Sequence, residues 1–406
     1  MSEWVYRADE SAVFEALASG THANGLRHYF GEEAYPELAR LARLAEAAKA
    51  RRGPPVFVLP GIMGSRLGSR VAGKILPEIL WIDPEAIAAG GLKRLVLPAG
   101  GSLQPMGVFL FAYARLQLEM RLRGFQGTLY PYDWRLDLED LGAALAERIR
   151  DAGEPVILIG HSMGGLVARI AMHLLPKRCV RKLIMLGTPN FGSYAPIQAL
   201  RGTYPFVRNM ALLDMVHSPE HLAEHVFQTF PGLYQLLPPR QRLRGANLYA
   251  RSGWPARGPQ PDFKMLARVA AVRAALAPAD SRMLQIVGVN RKTIVAVRRK
   301  AAGFEYEYGF AGDGTVPVAL AVLPRLKTFY VDEMHGNLAN NPAVICAIIE
   351  LVDRGRTGAL PGRPRIPRSP PQHIDDAALS ANDGPKIDWR RLDDIERAAT
   401  LANLNQ

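Results

Sequence analysis

Cysteine is nearly absent. The 406-residue chain holds two, Cys179 and Cys346, which excludes a disulfide framework and the cysteine-rich zinc spacings and fits a reducing compartment. Both lie in apolar stretches and read as core thiols. Long hydrophobic runs are also missing. No stretch approaches the ~20 apolar residues of a membrane span. The first twenty residues carry Glu3, Asp9 and Glu10, with no basic run ahead of an apolar core, so they do not read as a secretory signal. A cytoplasmic location is the expectation, with peripheral membrane contact or signal-free export as alternatives.

Acidic residues are scarce in one place. The net charge is +12, and residues 238–302 hold 14 Lys/Arg against two acids, Asp262 and Asp280. The rest of the chain is balanced. Such a segment is either an electropositive face for an anionic membrane or substrate, or an ordinary solvated surface. No helix-turn-helix, zinc or RNA-binding signature accompanies it, which sets nucleic acid aside. Apolar content of 48% and charge of 22% are ordinary for a globular chain, and the length suits one large domain with an insertion or two domains.

What is present centres on residues 155–165, PVILIGHSMGG. A β-branched apolar run meets Gly-x-Ser-x-Gly and then an amphipathic helical pattern. That is the strand–turn–helix context of a nucleophile elbow. A serine hydroxyl is a poor nucleophile unless it is held exposed beside a base and an anion-stabilising pocket. Gly160 and Gly164 remove side chains that would collide in the sharp turn. The motif alone occurs by chance; its flanks make Ser162 the candidate nucleophile.

The base and its orienter follow from chain order, which in this class runs Ser, acid, His. Asp313 sits between Gly312 and Gly314 in a tight turn, and His335 follows the strand pattern of 326–331. Bland alternatives are a turn carboxylate and a surface-loop histidine. Residues 54–60 form a buried-strand pattern running into a loop, Gly61-Ile62-Met63-Gly64-Ser65, where half of an oxyanion hole is expected. Ile62 is its candidate N–H donor and Met163 supplies the other. His161 reads as a packing neighbour pointing away from Ser162. His173, His217, His221 and His225 read as helical. The spacing of four among the last three could form a metal face, but no carboxylate or cysteine pattern completes one. No metal or organic cofactor is implied.

Around these points the chain alternates strand and helix, as a parallel sheet requires. Residues 1–53 read as a helical arm, with Gly31 and Pro36 as interruptions. Residues 66–105 read as an irregular loop serving as a lid or membrane contact. The alternation stops after Asn190, so 191–280 reads as an inserted cap or lid between the core segments 54–190 and 281–354. Within 281–354, residues 293–297 and 304–308 suggest a hairpin. Residues 355–406 read as a proline-rich linker and tail, with an amphipathic helix over 387–404.

Pro60 to Ser65, Tyr132-Asp133-Trp134-Arg135, the Gly160–Gly164 elbow, Gly187-Thr188-Pro189, the Gly312–Pro317 turn and Met334-His335 occur in an order that resembles the lecithin:cholesterol acyltransferase-like family. This family includes lysosomal phospholipase/transacylases and bacterial relatives. The resemblance implies an α/β-hydrolase fold, a Ser162–Asp313–His335 triad, and an oxyanion hole from Ile62 and Met163. It also implies acyl transfer from a lipid ester through an acyl-Ser162, with Trp134, Asp133 and Met63 near the lid or substrate entrance. Secreted relatives clip the lid loop with cysteines; none lies here between Gly61 and Trp134. The expected activity is that of a serine esterase, lipase or acyltransferase. The alternatives are an intracellular polyester or lactone hydrolase, and a lipid-surface or partner-binding protein on the same scaffold.

Overall fold

In a computed structural model of the chain, residues 4–48, 53–73, 75–98, 103–243, 245–381, 384–392 and 396–397 are described. Among the described residues twelve strands appear in chain order: β1 (Pro55–Leu59), β2 (Ser65–Ser69), β3 (Glu78–Trp81), β4 (Gln104–Val108), β5 (Gln126–Leu129), β6 (Val156–His161), β7 (Val180–Leu186), β8 (Met283–Val289), β9 (Thr293–Arg299), β10 (Phe304–Gly309), β11 (Lys327–Asp332) and β12 (Gln372–Asp375). Six make one parallel sheet in the order β11-β8-β7-β6-β1-β5. This is the expected α/β-hydrolase architecture. Its central strands are largely apolar because both faces are covered, with His161, Arg181, Lys182 and Gln285 as the polar members of β6, β7 and β8.

Strand alternation divides the core in two. Val56, Val58, Ile157, Ile159, Ile184 and Leu186 face one side, where helices Glu10–Ser19, Tyr35–Ala47, Leu110–Leu122 and Pro342–Arg354 pack. Phe57, Leu59, Val156, Leu158, Leu183 and Met185 face the other, against helices Leu138–Asp151 and Met163–Leu174. The first four helices of the chain are therefore a packing layer. Pro36 does not interrupt helix Tyr35–Ala47; it occupies its first turn, where a missing N–H leaves no hydrogen bond unmade.

The segment 66–105 is not an irregular loop. Strands β3, β2 and β4 form an antiparallel sheet, and Leu67, Leu80, Trp81, Leu92 and Leu95 are buried in the second core cluster. Gly73, Gly90 and Pro98 lie in the connections between these short elements, while Gly68 and Pro105 sit within β2 and β4.

The helical insert between β7 and β8 continues that same cluster through Ile197, Val207, Phe227 and Phe230. The hairpin β9–β10 leaves the main sheet and pairs instead with β12. The tail is thus partly built into the fold. Asp376, just after β12, is buried; it pairs with Arg201 of the insert and accepts hydrogen bonds from the Phe304 N–H and the Tyr306 hydroxyl. Of the helix expected over 387–404, the described part is a single turn, Trp389–Arg391; 393–395 and 398–404 lie outside the described residues.

Cys346 is exposed and Cys179 half-buried, so neither is a fully enclosed core thiol. Among the described residues no helix is long and apolar enough to cross a membrane.

Candidate active site

At the end of β6 the chain turns sharply through Ser162, at φ 51° and ψ −124°, into helix Met163–Leu174. A positive φ is costly for serine and is sustained only where the surroundings enforce it. Here the Ser162 N–H donates to the Leu186 carbonyl and the Gly165 N–H to the Ser162 carbonyl. The two motif glycines are required by close approach. A Cβ on Gly160 would lie 2.6 Å from the Gly165 Cα, and one on Gly164 would lie 2.5 Å from the Pro60 oxygen.

Ser162 Oγ lies 2.8 Å from His335 Nε2, and His335 Nδ1 lies 2.7 Å from Asp313 Oδ2. A carboxylate accepts only, so Nδ1 carries the proton and Nε2 is the acceptor for the Ser162 hydroxyl. Asp313 Oδ1 accepts from the Thr315 and Val316 N–H groups at 3.0 and 2.7 Å, and the His335 N–H donates to the Asp313 carbonyl at 2.8 Å. The carboxylate is therefore held by its own turn. These residues stand at the carboxyl ends of β6 and β11 and in the Gly312–Pro317 turn, the edge where parallel sheets hold ligands. Ser162 and Asp313 are buried, while the His335 side chain retains 14% of its surface. The exposed apolar side chains of Met334 and Phe310 adjoin these segments in the chain.

The 60–65 loop faces Ser162 closely: a Cβ on Gly61 would come within 3.0 Å of the Ser162 Cβ. Met63 turns it at φ 64°. Its carbonyls are taken up from behind. Pro60 O accepts from the Tyr132 hydroxyl, Met63 O from Trp81 Nε1, Ser65 O from Trp134 Nε1, Gly61 O from the Gly64 N–H, and Gly64 O from the Phe109 N–H. Met163 opens its helix, so its N–H has no intrahelical acceptor.

Trp134 and Asp133 are not at an opening. Trp134 is fully enclosed between Trp81 and Phe230, and Asp133 is spanned by Arg135, with Nε to Oδ1 at 2.8 Å and Nη2 to Oδ2 at 2.6 Å. Arg135 also donates to the Leu95 carbonyl. The Tyr-Asp-Trp-Arg cluster thus braces the loop; its aromatic and charged character satisfies buried hydrogen bonds. Met63 is half-buried in the same wall.

His161 does not point away from the site. Its ring centroid lies 5.0 Å from that of His335, and its Nε2 lies 2.9 Å from the His335 carbonyl. Its Nδ1 lies 2.8 Å from the Tyr113 hydroxyl. Burial, with His335 alongside, pushes its pKa down to about 3, so it is neutral at ordinary pH. His373 also follows the elbow in sequence, but sits on β12 beside Glu305. Sequence reading missed Trp81 and Tyr113. The only signal for Trp81 was the short apolar run that proved to be β3, and nothing local marked Tyr113.

His217 precedes helix Pro219–His225 and is held by Asp214 at 2.9 Å, while the His217, His221 and His225 rings pack in series. Among the described residues no group of three or more His, Cys, Asp or Glu is arranged to hold a metal.

Much of the basic segment is engaged. Arg273 is buried and donates to the Asn190, Gln235 and Leu237 carbonyls, and burial lowers its pKa to about 10. Arg268 pairs with Asp137, Arg282 with Asp280, Arg291 with Asp332, Arg298 with Glu307 and Lys300 with Glu305. Most of those acids lie outside the segment, which is why its sequence overstates the free charge.

A model of the alpha/beta hydrolase family matches residues 95–321. No curated protein matches the chain. Among solved structures, the complex of Tle4 with Tli4 is similar at 13% identity and a TM-score of 0.48, over 73% of this chain and 97% of that one. The propeptide form of the Bacillus licheniformis lipase BlEst2 is similar at 17% identity and a TM-score of 0.37, over 72% of this chain and 50% of that one. A marine microorganism esterase is similar at 17% identity and a TM-score of 0.31, over 74% and 96%.

Proposed function

The chain belongs to the alpha/beta hydrolase family, and on that premise we propose that it is a serine hydrolase of lipid or other hydrophobic acyl esters. The observation that carries the reading is the Ser162–His335–Asp313 hydrogen-bond series on a strained turn. Ser162 Oγ attacks the acyl carbon as its proton passes to His335 Nε2. Asp313 holds the resulting imidazolium in place. The N–H groups of Ile62 and Met163 receive the developing oxyanion. The alcohol then leaves with the proton from His335, giving an acyl-Ser162. A water, deprotonated by His335, attacks the acyl carbon and releases the acid and the serine.

Met334, exposed and next in sequence to His335, supports a hydrophobic substrate. The motif order that resembles the lecithin:cholesterol acyltransferase-like family supports a lipid acyl donor, with an alcohol replacing water as acceptor in a transfer reaction. Contact with an anionic surface through 238–302 belongs to the same proposal, carried by the charges that ion pairs leave over.

The test is hydrolysis of a short-chain aryl ester and of phospholipid vesicles of graded anionic content, by the wild type and Ser162→Ala. Activity on both, lost in the variant, supports a lipase. Activity on the soluble ester alone removes the lipid and leaves a small-ester or polyester substrate. No ester activity, with vesicle binding intact in the variant, overturns the enzymatic reading.

A further inference from the structure

Tyr113 and His161 bury polar groups that packing alone does not require. Tyr113 is on helix Leu110–Leu122, on the face that buries Leu116 and Met120 beside Val58 and Ile159. A phenylalanine would fill the same space without a hydroxyl to satisfy. His161 ends a strand otherwise built of Val, Ile, Leu and Gly. Both side chains are buried, and the partners of their polar atoms are each other and two backbone groups. The Gly61 N–H donates to Tyr113 Oη at 3.1 Å. Tyr113 Oη and His161 Nδ1 are 2.8 Å apart, and His161 Nε2 is 2.9 Å from the His335 carbonyl.

The donor and acceptor roles are fixed. A carbonyl accepts only, so His161 carries its proton on Nε2 and offers Nδ1 as acceptor; the Tyr113 O–H donates to it and takes the Gly61 N–H on a lone pair. The bonds therefore run in series from the loop beside the nucleophile to the main chain of the base. Their two ends are 274 residues apart in sequence but both touch the site: a Cβ on Gly61 would meet Ser162, and His335 Nε2 meets Ser162 Oγ.

We propose that His161 and Tyr113 are positioning residues that lock the backbone of His335 to the Gly61 loop, so that the base and the oxyanion donors keep one spacing about Ser162 through the reaction. The inference rests on the serine-hydrolase reading above. The relay must remain neutral to work. The imidazolium formed on His335 would repel a second one 5.0 Å away, and burial denies His161 that charge.

The test uses four variants of the full chain. Asn keeps an acceptor near the Nδ1 position, Gln keeps a donor near Nε2, and Phe keeps neither. On p-nitrophenyl butyrate, His161→Phe should lower kcat on the order of 10- to 100-fold, since displacement of about 1 Å costs that much, with KM little changed. His161→Gln should recover more kcat than His161→Asn. Tyr113→Phe should lower kcat by a smaller factor, and labelling by an alkyl fluorophosphonate should slow in parallel. Circular dichroism melts separate these losses from unfolding, and if His161→Phe fails to fold, Tyr113→Phe carries the test. Wild-type kcat in Tyr113→Phe, equal kcat in the Gln, Asn and Phe variants, or losses that follow the unfolded fraction would each overturn the proposal. Ser162→Ala is run alongside. If it retains activity, the serine reading falls and this inference with it. If it is inactive while the His161 and Tyr113 variants match wild type, only the inference falls.

Discussion

The two sides of the site are held by different means. Asp313 is fixed locally, by the amides of its own turn, and His335 hangs on Asp313 through its main-chain N–H and its ring Nδ1, with His161 at its carbonyl. The 60–65 loop is fixed from a distance, by side chains of Trp81, Tyr113, Tyr132 and Trp134 that arrive from three other parts of the chain. Local clasps are cheap in stability, because a short turn closes them with little chain entropy. Distant braces are part of the core, and altering them disturbs packing and the loop together. Substitutions on the first side should therefore remove activity with little effect on folding, and those on the second should reduce both.

The largest effect should come from Asp313→Asn. The amide keeps the acceptor for Thr315 and Val316 but turns a donor toward His335, which forces the wrong tautomer, and kcat should drop by about 10⁴-fold with the melting temperature nearly unchanged. A large fall in melting temperature would erase the contrast between the two sides. Next is Asp133→Ala, which leaves the Arg135 guanidinium enclosed without its carboxylate. It should cost about 3–5 kcal/mol in urea unfolding and weaken ester turnover as the loop loosens.

His161 joins the two sides and gives a pH effect. Its folded pKa of about 3 lies below the ordinary histidine value of 6.5. The unfolded chain therefore binds the extra proton between those values, and stability is lost as pH falls through that window. Wild type should lose about 2 kcal/mol more than His161→Gln between pH 7 and 5 in denaturant titrations. Equal pH dependence would mean that His161 accepts a proton in the fold. The smallest effect should come from Tyr132→Phe, which keeps the ring and loses one hydrogen bond to the Pro60 carbonyl. About 1 kcal/mol of stability and a several-fold drop in kcat are expected.

The difference between local and distant restraint also governs how much could be read from sequence. The elbow, the order of Ser162, Asp313 and His335, and the strands of the main sheet announce themselves in a few consecutive residues. Gly160 and Gly164 are required by contacts within the turn and with the neighbouring strand, and β6 and β8 are mostly apolar and buried along their whole length. The braces have no such signature. Trp134 lies in a motif that suggested a substrate entrance, yet its neighbours Trp81 and Phe230 lie about 50 and 100 residues away in sequence. The sheet of β2, β3 and β4 looked like a loop because its strands are short and its register is broken by bulges. β12 was hidden behind prolines, and its pairing with β10 is antiparallel across more than sixty residues. His161 was misjudged because strand alternation gives the face of a side chain but not the partner that reaches it across the site.

All of the proposed chemistry depends on Ser162 being a nucleophile activated by His335. The most direct measurement is reaction of the intact protein with an alkyl fluorophosphonate, followed by peptide mass spectrometry. One adduct per chain is expected, on the peptide containing Ser162, at a rate that collapses in His335→Ala. An adduct elsewhere, or labelling of Ser162 that is indifferent to the loss of His335, would contradict it.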